Sequence, residues 1–356
     1  MNDQSQDAGS IPLSILDFAI TSKGFTAKEA LDHSIQLAKL ADRRGFHRYW
    51  VAEHHSMPGV STSSPSLLIA RLISETHYIR LGSGGVMLPN TPPLVIAEQF
   101  GLLSSLAPGR IDLGIGRASG TNSKTTSTLQ QDRLKEGGFP RQFTELRQFL
   151  GNKFSKKHSY YGKVFAVPGP AQNTENEVLA FFNQPEVWLL GSSFYSARIA
   201  GRSGLPFAFA AQLSPQNLEI ALETYRKEFR PSSILDKPYT LACFAVNAAD
   251  NSETAFIESK CYAHAMMRMM LGNPFVIPSP EELLCYNYSS SELKIVNNWH
   301  NKILHGTALQ IKKQLNHFQS QIKFNELMIL NVGHSLQRIF KSVNLLADAY
   351  KMPNKR

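Results

Sequence analysis

Cysteine is scarce in this 356-residue chain: Cys243, Cys261 and Cys285 are an odd number at wide spacings, a pattern that supports neither a disulfide framework nor a zinc knuckle. Long apolar runs are missing too. Arg71 interrupts even SLLIARLI, and nothing approaches the ~20 residues of a membrane span, so no membrane partner is expected. MNDQSQDAGS has no basic start followed by an apolar stretch, so no secretory signal is read there and the cytoplasm is the expected location. The HExxH helix motif of zinc enzymes is absent. So is the dinucleotide fingerprint, because the glycines of GIGRASG stand at 114, 116 and 120, one residue too far apart at the second interval. Acidic side chains are the minority, 28 against 37 Lys and Arg for a net charge of +9. The basic residues are scattered rather than clustered, which speaks against a nucleic-acid partner. The densest patch, KFSKKHSYYGK at 153–163, has aromatics on which a base could stack, but it reads more simply as a solvated loop.

What the chain has is a core and a rhythm. With 42% apolar and 18% charged residues it can bury a sizeable interior. IPLSILDFAI reads as a strand, and FTAKEALDHSIQLAKLADRRG as a helix with a capping box between Thr26 and Glu29 and a stop at Gly45. HRYWVAE, YIRLGSGGVML and RIDLGIG are further strands. Between them lie a helix opened by Ser64-Pro65 and another, PPLVIAEQFGLLSSLAPG, closed by a Pro-Gly turn. PEVWLLG, LPFAFAAQ, YTLACFAVNA and FNELMILNVG continue the alternation to eight strands, and the last helix carries Leu336, Ile339, Phe340, Val343 and Leu346 on one face behind Ser335. Strands separated by helices of this length imply right-handed parallel crossovers. The expected fold is therefore α/β: a (β/α)8 TIM-type barrel over 11–350, with insertions in the βα loops at about 117–183 and 272–306. The first insertion is expected to close over the site, with Tyr160 or Tyr161 reaching inward.

Nearly every chemically unusual residue falls just after a strand and before its helix, which in a barrel is one rim. Asp17 follows the first strand, Glu53, His54 and His55 the second, GSGG ends the third, and GIGRASG and GSS follow later ones. Adjacent histidines on a strand point to opposite faces, which is poor geometry for a shared metal, so no metal site is assigned. Imidazole suits proton transfer near neutral pH, while a pair of hydrogen-bonded rim histidines is the plain structural reading. Glycines 82, 84 and 85 point to close approach of another group or to a tight turn. Ser192 and Ser193 open a helix after Gly191, where hydroxyls and free N–H groups suit a phosphate or merely cap the helix. Arg117 could add a cation there.

Together, YWVAEHH, LGSGGVMLPNTPPLVIAEQFGLLSSLAPGRIDLGIGRASGT and VWLLGSSFYSARIAGRSGLPFAFA resemble the luciferase-like flavin monooxygenase superfamily, the relatives of bacterial luciferase. The likeness is good over about 11–214 and looser beyond. It implies a barrel that binds reduced FMN at its C-terminal rim and acts with O2 on a small organic substrate through a flavin C4a-peroxide, with FMNH2 supplied by a separate flavin reductase. It also implies a non-proline cis peptide between Gly84 and Gly85, with Val86 beside it, beneath the flavin ring. The phosphate would fall to Ser192 and Ser193 after Gly191, with Ser196 and Arg117. His54 would stand beside the reacting flavin with His55 next to it as the catalytic residues, Asp17 would be a further cofactor-binding residue on the rim and Glu53 a rim residue, and the protein would be a homodimer. Two alternatives stay open: an F420-dependent hydride-transfer enzyme, whose acidic cofactor tail would suit the basic charge, and a flavin-binding protein without turnover.

Overall fold

The first four strands each lead into a helix. β1 (Leu13–Asp17) runs to α1 (Ala27–Arg43), β2 (Arg48–Val51) to α2 (Pro65–Ile73), β3 (Arg80–Met87) to α3 (Pro93–Leu106), and β4 (Ile111–Gly116) to α4 (Ser123–Leu129) and α5 (Gly138–Gly151). The pattern continues with β5 (Glu186–Gly191), α6 (Phe194–Arg202), β6 (Phe207–Ala210), α7 (Leu218–Glu228), β7 (Thr240–Ala248) and α8 (Ser252–Met270). The chain then adds α9 (Pro280–Leu284), α10 (Ser290–His300), β8 (Ile303–Gly306), α11 (Ala308–Ile322), β9 (Glu326–Asn331) and α12 (Leu336–Ala349). The computed structural model describes residues 11–129, 138–172 and 184–354.

All pairings between named strands are parallel, and the order β1-β2-β3-β4-β5-β6-β7-β9 returns to β1. The result is a closed eight-stranded barrel with helices outside, the expected fold class. Because both faces of each strand are covered, β1, β4, β7 and β9 are buried from end to end. Alternation still sorts the side chains. Ile15, Tyr49, Val51, Leu81 and Leu113 pack in the layer between sheet and helices, whereas Leu16, Trp50, Trp188, Leu241, Cys243 and Met328 fill the barrel interior.

At the N-terminal ends of the strands the interior is closed by charge. Arg48 donates to Asp112 at 2.8 Å and to Glu326 at 3.1 Å, and Arg80 Nε donates to Asp112 at 2.9 Å. The Trp50 indole N–H donates to Asp112 at 2.9 Å and the Tyr239 hydroxyl to Glu326 at 3.1 Å. Burial alone would raise the pKa of Asp112, but the guanidinium groups of Arg48 and Arg80 hold it below the ordinary carboxylate value.

Two stretches depart from simple repetition. β7 pairs with β6 through Thr240–Cys243, and its upper half then pairs with β8, Ala245 against Ile303 through Ala248 against Gly306. This ninth strand lies inside the region read as irregular. The same region holds α9 and α10, each opened by a capping box, Ser279 with Glu282 and Ser289 with Glu292. In the other, α5 buries Phe139, Phe143, Leu146 and Phe149. Tyr160 does not reach into the barrel as expected: it packs against Phe149 and Phe154, and Tyr161 is exposed. The aromatic clustering around Phe149 outcompetes any inward reach. No helix among the described residues is long and apolar enough to cross a membrane.

Candidate functional site

The barrel strands surround a cavity of about 260 Å³ that opens at the C-terminal rim, with residues of β1 to β7 and β9 in its wall. Leu16, Phe18, Trp50 and Met328 form part of its apolar wall, and Gly84, Gly85 and Gly116 leave one side bare. A Cβ at Gly84 would meet Leu16 Cδ1 at 2.6 Å and Trp50 Cβ at 3.0 Å, so only glycine lets these side chains approach this close. The Gly84–Gly85 peptide is cis, as the resemblance implied. Val86, by contrast, turns its side chain outward into the layer between sheet and helices.

Across the cavity, β5 ends at Gly191, and Ser192, Ser193 and Ser196 line the wall. Ser193 is the N-cap of α6, yet its side chain makes no capping bond. A cap residue that leaves its hydroxyl free faces an α-helix end whose N–H groups lack intrahelical partners. Both are turned to whatever enters the cavity. Arg117 lines the same space and stacks over Tyr195 of α6, 4.4 Å from the ring centroid, so its charge is held beside the helix start.

Glu53, His54 and His55, in the segment just past β2, point in different directions and do different things. Glu53 is 4% exposed and its carboxylate accepts from Met87 N–H at 3.0 Å, Asn90 Nδ2 at 3.0 Å and His55 Nε2 at 2.7 Å. It ties the ends of β2 and β3 together and so fixes the rim. His55 points away from the central cavity into an outer groove, its Nε2–H committed to Glu53. His54 lines both spaces. Its Nδ1 lies 3.1 Å from Gly120 O; a carbonyl only accepts, so Nδ1 carries the proton and Nε2 keeps its lone pair. Burial lowers the His54 pKa against the opposing effect of the Gly120 bond, and His55 lowers it further. The ring is thus a neutral acceptor at neutral pH.

Asp17 is a correction. Leu16 holds the inward position, so Asp17 turns to the outside, where it accepts from the Tyr49 hydroxyl at 2.6 Å and Ala19 N–H at 2.8 Å. Burial, aided by this carboxylate, pushes the Tyr49 pKa well up. Asp17 is a structural anchor. His55 and Val86 also stand outside the central cavity, whereas His54, Gly84, Gly85, Arg117, Gly191, Ser192, Ser193 and Ser196 share it. Sequence reading passed over Gln212 beyond β6, which lines the cavity with a buried Oε1 that has no partner among the described residues. Its position after LPFAFAA, at a strand end, was the available signal.

The sequence model of the luciferase-like monooxygenase family matches residues 12–322. The chain belongs to that family. A luciferase-like monooxygenase of Escherichia coli K12 is 39% identical over 320 residues, 90% of this chain and 91% of that protein. The N-acetyl-S-alkylcysteine monooxygenase of Bacillus subtilis is 31% identical over 342 residues, 95% of this chain and 98% of its own length. Among solved structures, apo-MsnO8 superposes with a TM-score of 0.83 at 30% identity, covering 97% of this chain and 100% of that one.

Proposed function

We propose that this luciferase-like protein is a flavin-dependent monooxygenase that takes reduced FMN into the central cavity and uses O2 to oxygenate a small organic substrate. The observation that carries the reading is the start of α6: a Ser193 hydroxyl with no partner among the described residues and a helix N-terminus open onto the same cavity as a neutral His54. The residues fit the group. The bare glycine wall admits a flat ring, the unpartnered Gln212 Oε1 offers an acceptor for a ring N–H, and the helix start suits a phosphate. Ser192, Ser193, Ser196 and Arg117 would hold the phosphate, and Gly84 and Gly85 would face the ring. Bound reduced flavin would supply the electrons that activate O2. The chain's own part is to keep the cavity wall apolar, so that little water reaches the reacting atoms, and to hold a proton acceptor at His54 Nε2. The relative named for oxygenating N-acetyl-S-alkylcysteine supports a small organic substrate. Reduced flavin would come from a separate reductase.

The test is an anaerobic titration with FMNH2 and with reduced F420, followed by mixing with oxygen. The reading expects tighter FMNH2 binding and a reoxidation rate of bound flavin that differs from that of free flavin. Preference for F420 would shift the assignment to hydride transfer, and unchanged reoxidation of bound flavin would leave only a flavin carrier.

A further inference from the structure

His54 has two faces. One lines the central cavity; the other lines a groove of about 720 Å³ between the turn that follows β4 and the 272–275 turn that follows α8. The groove is not a second copy of the cavity. Its base is apolar, with Met57, Met269 and Phe275, while its rim carries Lys124 and Asn122 from one side and Asn273 from the other.

The rim is biased toward donors. No Asp or Glu is among the described residues lining the groove. Glu53, behind it, is buried and engaged by three donors. Asn122 spends its carbonyl on Thr125 N–H at 2.9 Å, which leaves its NH2 group as the side that remains to donate. Asn273 accepts from Arg268 Nη2 at 3.1 Å, so a guanidinium is fixed behind that wall. Lys124 is the only lysine or arginine among the described lining residues, and its ammonium has no ion pair or hydrogen-bond partner among the described residues. An anion entering such a groove meets donors from several directions and no carboxylate among the described lining residues.

We propose that this groove is a subsite for the carboxylate of a small amphipathic organic acid, held by Lys124 and Asn122, whose apolar part lies along Met57 and Phe275 and reaches past His54 into the central cavity. The proposal rests on the central cavity being the reaction site and adds to it the class of substrate. Substrate binding energy made in the groove, away from the reacting atoms, would position the oxidisable end at His54. The groove thereby selects acids over their neutral analogues.

Calorimetric titration of the FMN-loaded protein with matched pairs tests this: hexanoate against hexanamide, and 4-phenylbutanoate against 4-phenylbutanamide. The expected result is roughly tenfold tighter binding of each acid at low salt, narrowing as salt rises because the Lys124 ammonium is exposed. Lys124→Met should abolish the preference and Lys124→Arg should keep it, both with wild-type FMN affinity and melting temperature. Equal binding of acid and amide in both pairs, or a preference that survives Lys124→Met, overturns the proposal. So does a loss of FMN affinity in Lys124→Met, which would give the groove to the cofactor's phosphate instead. The same titrations on protein without flavin separate the two readings: an acid preference in a chain that takes no FMN sinks the flavin assignment alone, and FMN binding without any acid preference sinks this one alone.

Discussion

Three consecutive residues just beyond the end of β2 do three different things, and the alternation of side chains along the extended chain decides which. Glu53 is buried and knits the rim, His54 faces the cavity, and His55 faces away. The account predicts that His54→Ala leaves FMN affinity within about twofold but lowers turnover by roughly 100-fold, as loss of a positioned proton acceptor does; equal turnover would reduce the residue to a rim support. Since burial lowers the His54 pKa, the neutral acceptor form persists below the ordinary histidine range of ~6.5. The acid limb of the pH–rate profile should therefore lie below that value and vanish in His54→Gln. Only part of this was legible in EHH: neighbours in an extended chain cannot point the same way, yet the resemblance makes His55 a second catalytic residue, whereas it turns away to Glu53. The sequence places Asp17 on the rim only because it follows the first strand; Leu16 takes the inward place and Asp17 turns outward to Tyr49, and the sequence alone does not say which of the two faces in.

At the scale of elements, close approach and charge set the barrel. A Cβ at Gly114 would lie 2.1 Å from Ser83 O and 2.7 Å from Leu190 Cδ1. The first clash is with backbone that a paired strand cannot move. Gly114→Ala should lower stability by more than the few tenths of a kcal/mol of a surface change and slacken the β3–β4 ladder, read as faster amide exchange at Leu113 and Ile115. At the barrel floor, Arg48→Met would leave the buried carboxylates of Asp112 and Glu326 short of a partner. A cost of about 3 to 5 kcal/mol in urea unfolding is expected. An unfolding free energy unchanged by that substitution would show that Arg80 and Trp50 suffice. None of this floor was visible beforehand, because Arg48, Asp112 and Glu326 come from strands far apart in sequence. The βα alternation itself was legible, since apolar periods change sharply at each junction. The strand β8 was not: ILHG is four residues long and offers no alternation to read.

For the whole molecule, packing at the barrel rim and among the outer helices buries imidazoles and keeps them neutral. His54, His264 and His300 all have lowered pKa values, with burial the leading cause, and His300, also opposed by His305, falls to about 4. A folded pKa below the unfolded one means that the unfolded chain binds more protons in the interval. Stability is then full above the unfolded value and is lost as pH falls through the window. The account predicts declining thermal stability between pH ~6.5 and about 4. His300→Gln should recover part of the loss, which is on the order of 3 kcal/mol for a group shifted this far. A melting temperature flat across that window would contradict it.

The central claim is that the start of α6 receives the flavin's phosphate. The most direct measurement is the affinity of reduced FMN and of reduced riboflavin, which lacks the phosphate, for the wild-type protein and for Ser193→Ala under anaerobic conditions. The account predicts a clear wild-type preference for FMN that shrinks by about 10-fold or more in the variant, the effect of one charge-assisted hydrogen bond of ~1.5 to 3 kcal/mol, while riboflavin binding stays the same. Equal affinity for the two flavins, or a preference untouched by Ser193→Ala, would place the phosphate elsewhere and contradict the assignment of this cavity.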